Sequence, residues 1–141
     1  MTGPDPADLA VRMAADQSPE WLDAFSAALA QQRAVAGLRW VLEVWNLSQS
    51  DVARLFGVSR QAVGKWLVEG IPASRVGDIG DLSAATDLMM HYLERDRIPT
   101  VVRREAGGLG GVSLLDLVRL GRCGDVLAAC HSMFDFSAIP G

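Results

Sequence analysis

No stretch of this sequence stays apolar for the roughly 18 residues that a membrane-spanning helix needs. The most hydrophobic run, AVAGLRWVLEVWNL at 34–47, is broken by Arg39 and Glu43. The opening MTGPDPADLA is acidic and lacks the basic start of a secretory signal. A cytoplasmic protein with no membrane contact is therefore expected. Cysteine is scarce: Cys123 and Cys130 are the only two. On one continuous helix their spacing separates the Cα atoms by about 10 Å, beyond the roughly 7 Å reach of a disulfide. With no Cys-x-x-Cys and only two isolated histidines, His91 and His131, zinc-ligand spacing is absent and no metal site is expected. Both cysteines read as small buried hydrophobes.

The signatures of an enzyme are missing as well. Glycines precede a helix in AGGLGGVSLL at 106–115, but no Lys-Ser or Lys-Thr follows them, and Ser113 stands where a dinucleotide fingerprint has its third glycine. A flexible linker is the simpler reading. Neither histidine has a Ser-His-Asp or Cys-His arrangement near it. Asp125, which might pair with Asp116, sits near a helix start, where a carboxylate is favourable in any case. No catalytic residue, no cofactor and no enzymatic activity are expected.

What is present is a globular composition, half hydrophobic and about a fifth charged, in a chain of 141 residues. That length suffices for one sizeable core or a small core with an appended subdomain. A net charge of −4 argues against indiscriminate coating of nucleic acid. The charge is unevenly spread: residues 46–75 carry Arg54, Arg60, Lys65 and Arg75 against only Asp51 and Glu69. A second basic cluster, Arg95, Arg97, Arg103 and Arg104, follows, interrupted by Asp96.

Helix signals dominate. Asp5 and Pro6 start a short helix over 5–16, and Ser18, Pro19 and Glu20 start another over 18–32, with Trp21, Leu22, Phe25 and Leu29 along one face. Leu38, Val41, Leu42 and Trp45, with Trp40 on the shoulder, mark a core helix from about 33 to 46. Val76, Ile79, Leu82, Thr86, Met89 and Leu93 form the buried face of a long helix. IPTVV at 98–102 is open to a short extended reading. Ser113 caps LLDLVRLG, which ends at Gly121, and DVLAACHSMF forms the last helix. The expectation is an all-α protein: an N-terminal helical extension over 1–32, a helix-turn-helix domain with its connector helix over 33–95, a linker over 96–112, and a small helical C-terminal domain over 113–141.

The most specific stretch is LSQSDVARLFGVSRQAVGKWL at 47–67. Two helices that meet steeply across three residues need a small side chain at their contact and a residue that accepts a left-handed backbone in the turn. Ala53 and Gly57 meet these needs. Val52, Phe56, Val58, Val63 and Trp66 fall where apolar groups must stitch the pair together, and Ser59 is a good cap for the second helix. Ser59, Arg60, Gln61, Gly64 and Lys65 are left on the outer face. Arg pairs with guanine and Gln with adenine in the major groove, Lys65 reaches a base edge or a phosphate, and Gly64 lets the backbone approach. Ser48 and Gln49 would present donors to a phosphate at the start of the first helix. The partner expected is double-stranded DNA carrying a palindromic operator, read by a homodimer whose two helices lie about 34 Å apart.

The segment LSQSDVARLFGVSRQAVGKWLVEG resembles the DNA-binding unit of Xre-type helix-turn-helix regulators. WLVEGIPASRVGDIGDL and SLLDLVRLGRCGDVLAACHSMFDF are similar to the connector and toxin-binding region of antitoxins of the Xre/MbcA/ParS kind, so that the resemblance spans roughly 34–136. It implies a repressor of its own operon whose C-terminal helices and tail neutralise a RES-domain, NAD-consuming toxin. Leu114, Leu117, Arg119, Arg122 and Phe136 are then the candidate toxin contacts. The alternative is a stand-alone regulator whose C-terminal region dimerises or senses a ligand.

Overall fold

The computed structural model describes residues 18–135; the helix expected over 5–16 and Phe136 lie outside them. The described residues are helical throughout, apart from turns and one isolated antiparallel bridge between Ala106 and Val112. Helix α1 runs Pro19–Trp45, α2 Gln49–Phe56, α3 Arg60–Val68, α4 Ala73–Tyr92, α5 Ile98–Arg103, α6 Leu114–Arg119 and α7 Cys123–Met133, with short 3-10 turns at Arg95–Arg97 and Gly107–Leu109. The expected all-α class is what the structure has.

Helix α1 joins two expected helices, 18–32 and 33–46, into one rod. Ser18 caps it by accepting a hydrogen bond from the Trp21 N–H at 3.2 Å, with Pro19 at its first position. Nothing near Gln32 or Arg33 breaks it, since Ala, Gln and Arg are all good helix formers. Gly37 stays helical inside it because α1 and α4 cross there: an added Cβ would lie 3.1 Å from Ser83 Cβ. The rod ends at Asn46, which takes the left-handed conformation (φ 56°).

The core is one continuous cluster contributed by all seven helices, and its largest packing contacts join α4 to α7 and α1 to α4. Trp45 is fully buried, and its indole N–H donates to Thr86 Oγ1 at 2.9 Å; the Thr86 hydroxyl in turn donates to the Leu82 carbonyl at 2.7 Å. Each buried polar group thus has its partner, as burial demands. Leu38, Val41, Ile79, Leu82 and Met89 of the expected stripes are buried around this pair.

The segment 96–112, expected as a linker, holds α5, whose Ile98 and Val102 are completely buried; IPTVV is helical, with Pro99 in the first turn, where its missing N–H costs nothing. The glycine run is a tight ordered turn. The Ala106 N–H donates to the Val112 carbonyl at 3.2 Å and the Gly111 N–H to the Ala106 carbonyl at 3.0 Å, with Gly110 and Gly111 both at positive φ. Helix α6 follows, packed on both α5 and α2.

Candidate nucleic-acid interface

Helix α2 begins at a capping box: Ser48 Oγ accepts from the Asp51 N–H at 3.0 Å, and Asp51 Oδ2 accepts from the Ser48 N–H at 2.9 Å. The hydrogen bond from the Ser48 backbone, ahead of that from its hydroxyl, holds the Asp51 carboxyl below the usual carboxylate range. The helix ends at Gly57 in the left-handed conformation (φ 67°), and the Val58 N–H donates to the Ala53 carbonyl at 3.0 Å. Apart from its chain neighbours, no atom of the described residues lies within 4 Å of a Cβ added at Gly57. Backbone conformation alone, not space, therefore selects glycine in the turn. Ser59 then caps α3, accepting from the Ala62 N–H at 3.1 Å.

The inner faces lock as the spacing requires. Ala53, Val52, Phe56, Val63 and Trp66 are buried. The Phe56 and Trp66 rings meet edge to face at 6.0 Å, a favourable aromatic geometry. What remains outside is the row Arg60, Gln61 and Lys65, all exposed, together with Ser59 at the helix start. Among the described residues neither Arg60 nor Lys65 has an ion-pair partner. Lys65 is also the single lysine of the chain. Gly64 is half-buried beside Gln49, whose Oε1 would lie 3.5 Å from an added Cβ, an ordinary contact. The fold therefore has no steric need for glycine at 64. The hydroxyls of Ser48 and Ser59 serve as cap acceptors.

Three arginines that the sequence offered only as positive charge fasten the unit. Each satisfies carbonyls at the end of another helix. Arg103 donates to the Trp45 and Asn46 carbonyls at 2.8 and 3.0 Å, closing α1. Arg75 donates to the Phe56 carbonyl at 3.3 Å, closing α2, with its guanidinium 5.5 Å over the Phe56 ring. Arg39 donates to the Leu67 carbonyl at 2.8 Å in the last turn of α3. Gln31 adds a two-way clamp on the loop after α3: its Oε1 accepts from the Ile71 N–H at 2.8 Å and its Nε2 donates to the Ile71 carbonyl at 2.6 Å. Of the four cations in 46–75, Arg75 is thus occupied and Arg54 is paired with Asp51 at 2.8 Å. Arg60 and Lys65, on α3, are the cations of this segment with no protein partner among the described residues.

The candidate toxin contacts separate into three groups. Leu114 and Leu117 are 1% and 3% exposed, so they are core side chains and offer no surface. This corrects the expectation for both, and the physical reason is that α6 is a single short turn-and-a-half whose apolar face must close against α2, α5 and α7. Arg119 and Arg122 are exposed, with carboxylate neighbours Asp116 at 3.8 Å and Asp125 at 2.6 Å. Phe136 lies outside the described residues.

No family model matches this chain, and no curated protein does. Among solved structures it is similar to a chain of the crystal structure of the M. tuberculosis MbcT–MbcA toxin–antitoxin complex, with a TM-score of 0.59 at 20% identity over 75% of this chain and 96% of that one. The fold is shared with a component of that complex. At this identity the likeness speaks for architecture. Among the described residues no helix is long and apolar enough to cross a membrane, and no three His, Cys, Asp or Glu side chains group as metal ligands.

Proposed function

We propose that the protein is a DNA-binding antitoxin that represses its own operon as a homodimer and neutralises a RES-type, NAD-consuming toxin through its C-terminal region. The observation that carries the DNA half is the exposed row Arg60, Gln61 and Lys65 on a helix angled outward by the Gly57 turn. Guanidinium and amide groups at the start of such a helix are the side chains that make paired hydrogen bonds to guanine and adenine. The toxin half is supported by the resemblance over 34–136 and by the shared fold with a chain of a toxin–antitoxin complex.

The lone lysine makes the DNA half directly testable. Labelling with an amine-specific reagent modifies Lys65 and the terminal amine only, so operator DNA from the protein's own promoter should protect Lys65 selectively. Arg60→Ala and Gln61→Ala should each cost about 1–3 kcal/mol of operator affinity and relax base preference, whereas Lys65→Ala should weaken all sequences and reduce the salt slope by about 1. Equal labelling of Lys65 with and without DNA would remove the assignment. For the toxin half, the toxin encoded beside this protein should be neutralised by the full chain. Charge reversal at Arg119 and Arg122, or a chain ending at Asp135, should weaken rescue of toxin-expressing cells. Full rescue by all of these would count against a C-terminal contact.

A further inference from the structure

Where the end of α2 meets the turn between α6 and α7, the surface opens into a cleft of about 420 Å³. Three arginines line it, from three separate elements: Arg54 on α2, Arg75 on α4 and Arg119 on α6. Leu55, Phe56 and Val118 supply apolar wall, and Asp78 adds one carboxylate. A neighbouring recess of about 280 Å³ shares Arg54, Leu55 and Arg119 and brings in Arg103 together with the Asp51 carboxylate.

We propose that this cleft binds a phosphate-bearing small molecule of mononucleotide size, its phosphate held by Arg54, Arg75 and Arg119 and a hydroxyl or amino group facing Asp78. The inference does not depend on DNA or toxin recognition. Planar guanidinium forks match phosphate oxygens in pairs, and the volume is that of an ordinary small-molecule site. The arginines are available. Arg54 and Arg119 are 77% and 65% exposed in single ion pairs to residues three positions away, and exposed pairs of that kind hold a side chain weakly. Arg75 spends one N–H on a long 3.3 Å bond and retains others. Asp78 is half-buried and, among the described residues, has neither an ion pair nor a hydrogen bond, which leaves it to accept from a ligand. The pattern of several donors with one acceptor distinguishes a hydroxylated or aminated phosphate from a bare anion. Because the cleft is walled by α2, α4 and α6 together, occupancy would also tie the helix-turn-helix to the C-terminal helices.

The test uses the full chain with adenosine monophosphate, inorganic phosphate and adenosine as probes, followed by calorimetry and by thermal unfolding. The nucleotide should bind and raise the melting temperature, phosphate should bind more weakly, and adenosine should not bind. Arg54→Ala and Arg119→Ala, both on exposed positions that leave the core intact, should each weaken the nucleotide about tenfold. Asp78→Asn should narrow the gap between nucleotide and phosphate. Arg60→Ala and Lys65→Ala should leave binding unchanged. No nucleotide binding at millimolar concentration overturns the proposal. So does binding that survives Arg54→Ala and Arg119→Ala, or that disappears in Arg60→Ala, since the anion would then sit on α3.

Discussion

Glycine 64 shows how one residue can separate folding from function. It lies inside α3, where glycine costs roughly 0.5–1 kcal/mol relative to alanine, and the nearest protein atom leaves ordinary room for a methyl group. Gly64→Ala should therefore hold or raise the melting temperature while, on the proposed reading of α3, lowering operator affinity in a gel-shift titration, because the methyl group would stand on the face proposed to meet DNA. An unchanged affinity would assign Gly64 no part in DNA contact. The two cysteines give a second residue-scale expectation. Burial, and then the nearby Asp78 and Asp81 carboxylates, push the Cys123 thiol up to about 12, and burial pushes Cys130 up to about 11. The thiolate is the reactive form, so iodoacetamide should label neither thiol appreciably in the native protein near neutral pH and both rapidly in denaturant, as followed by mass spectrometry.

At the scale of elements, α2 and α6 pack against each other and begin alike. Ser113 Oγ accepts from the Asp116 N–H at 3.1 Å and Asp116 Oδ2 from the Ser113 N–H at 3.0 Å, the same box that Ser48 and Asp51 form. The serine backbone and hydroxyl bonds lower both carboxyl pKa values. A depressed folded-state pKa gives stability that is complete above the unfolded value, near pH 4, and is lost as pH falls through the lower folded value. The double variant Asp51→Asn with Asp116→Asn should consequently flatten the decline of the melting temperature below about pH 4 while leaving its trend between about pH 5 and 8 unaltered. The turn between α2 and α3 carries a larger penalty. Gly57→Ala should cost about 1–2 kcal/mol in denaturant unfolding, the cost of a left-handed backbone for a residue with a Cβ, and Gly57→Asn should cost less. Both the box at Ser48 and this turn are local, since the residues involved are within a few positions of each other.

For the whole molecule, the decisive fact is that α6 and α7 share their core with the helix-turn-helix. Val126, Cys123 and Cys130 are buried in the same cluster as Ile79, Leu82 and Met89. A boundary at 96–112 would allow residues 106–141 to be deleted with DNA binding intact. The packing of α7 on α4 and of α6 on α2 leads to the opposite outcome. Deletion should expose the apolar faces of α2 and α4 and give a chain with lost or broadened thermal unfolding and lost DNA binding. A truncated protein with a cooperative transition and native operator affinity would show the two parts to be independent. Charge at this scale also differs from its count. Arg75 and Arg103 close helices α2 and α1 and Arg54 pairs with Asp51, so among the described residues Arg60 and Lys65 are the cations of 46–75 without a protein partner.

The sequence by itself determined what depends on neighbours in the chain. Helical periodicity, the caps Ser18, Ser48, Ser59 and Ser113, the left-handed turn at Gly57 and the outward row on α3 all follow from side chains within one or two turns of each other. Tertiary structure decided what depends on distant ones. The clamp of Gln31 on Ile71, the arginine caps and the joining of α6 and α7 to the helix-turn-helix core link residues 19 to 58 positions apart. No spacing rule marks them, because an Arg that will cap a remote carbonyl and an Arg that will meet solvent carry the same local signal.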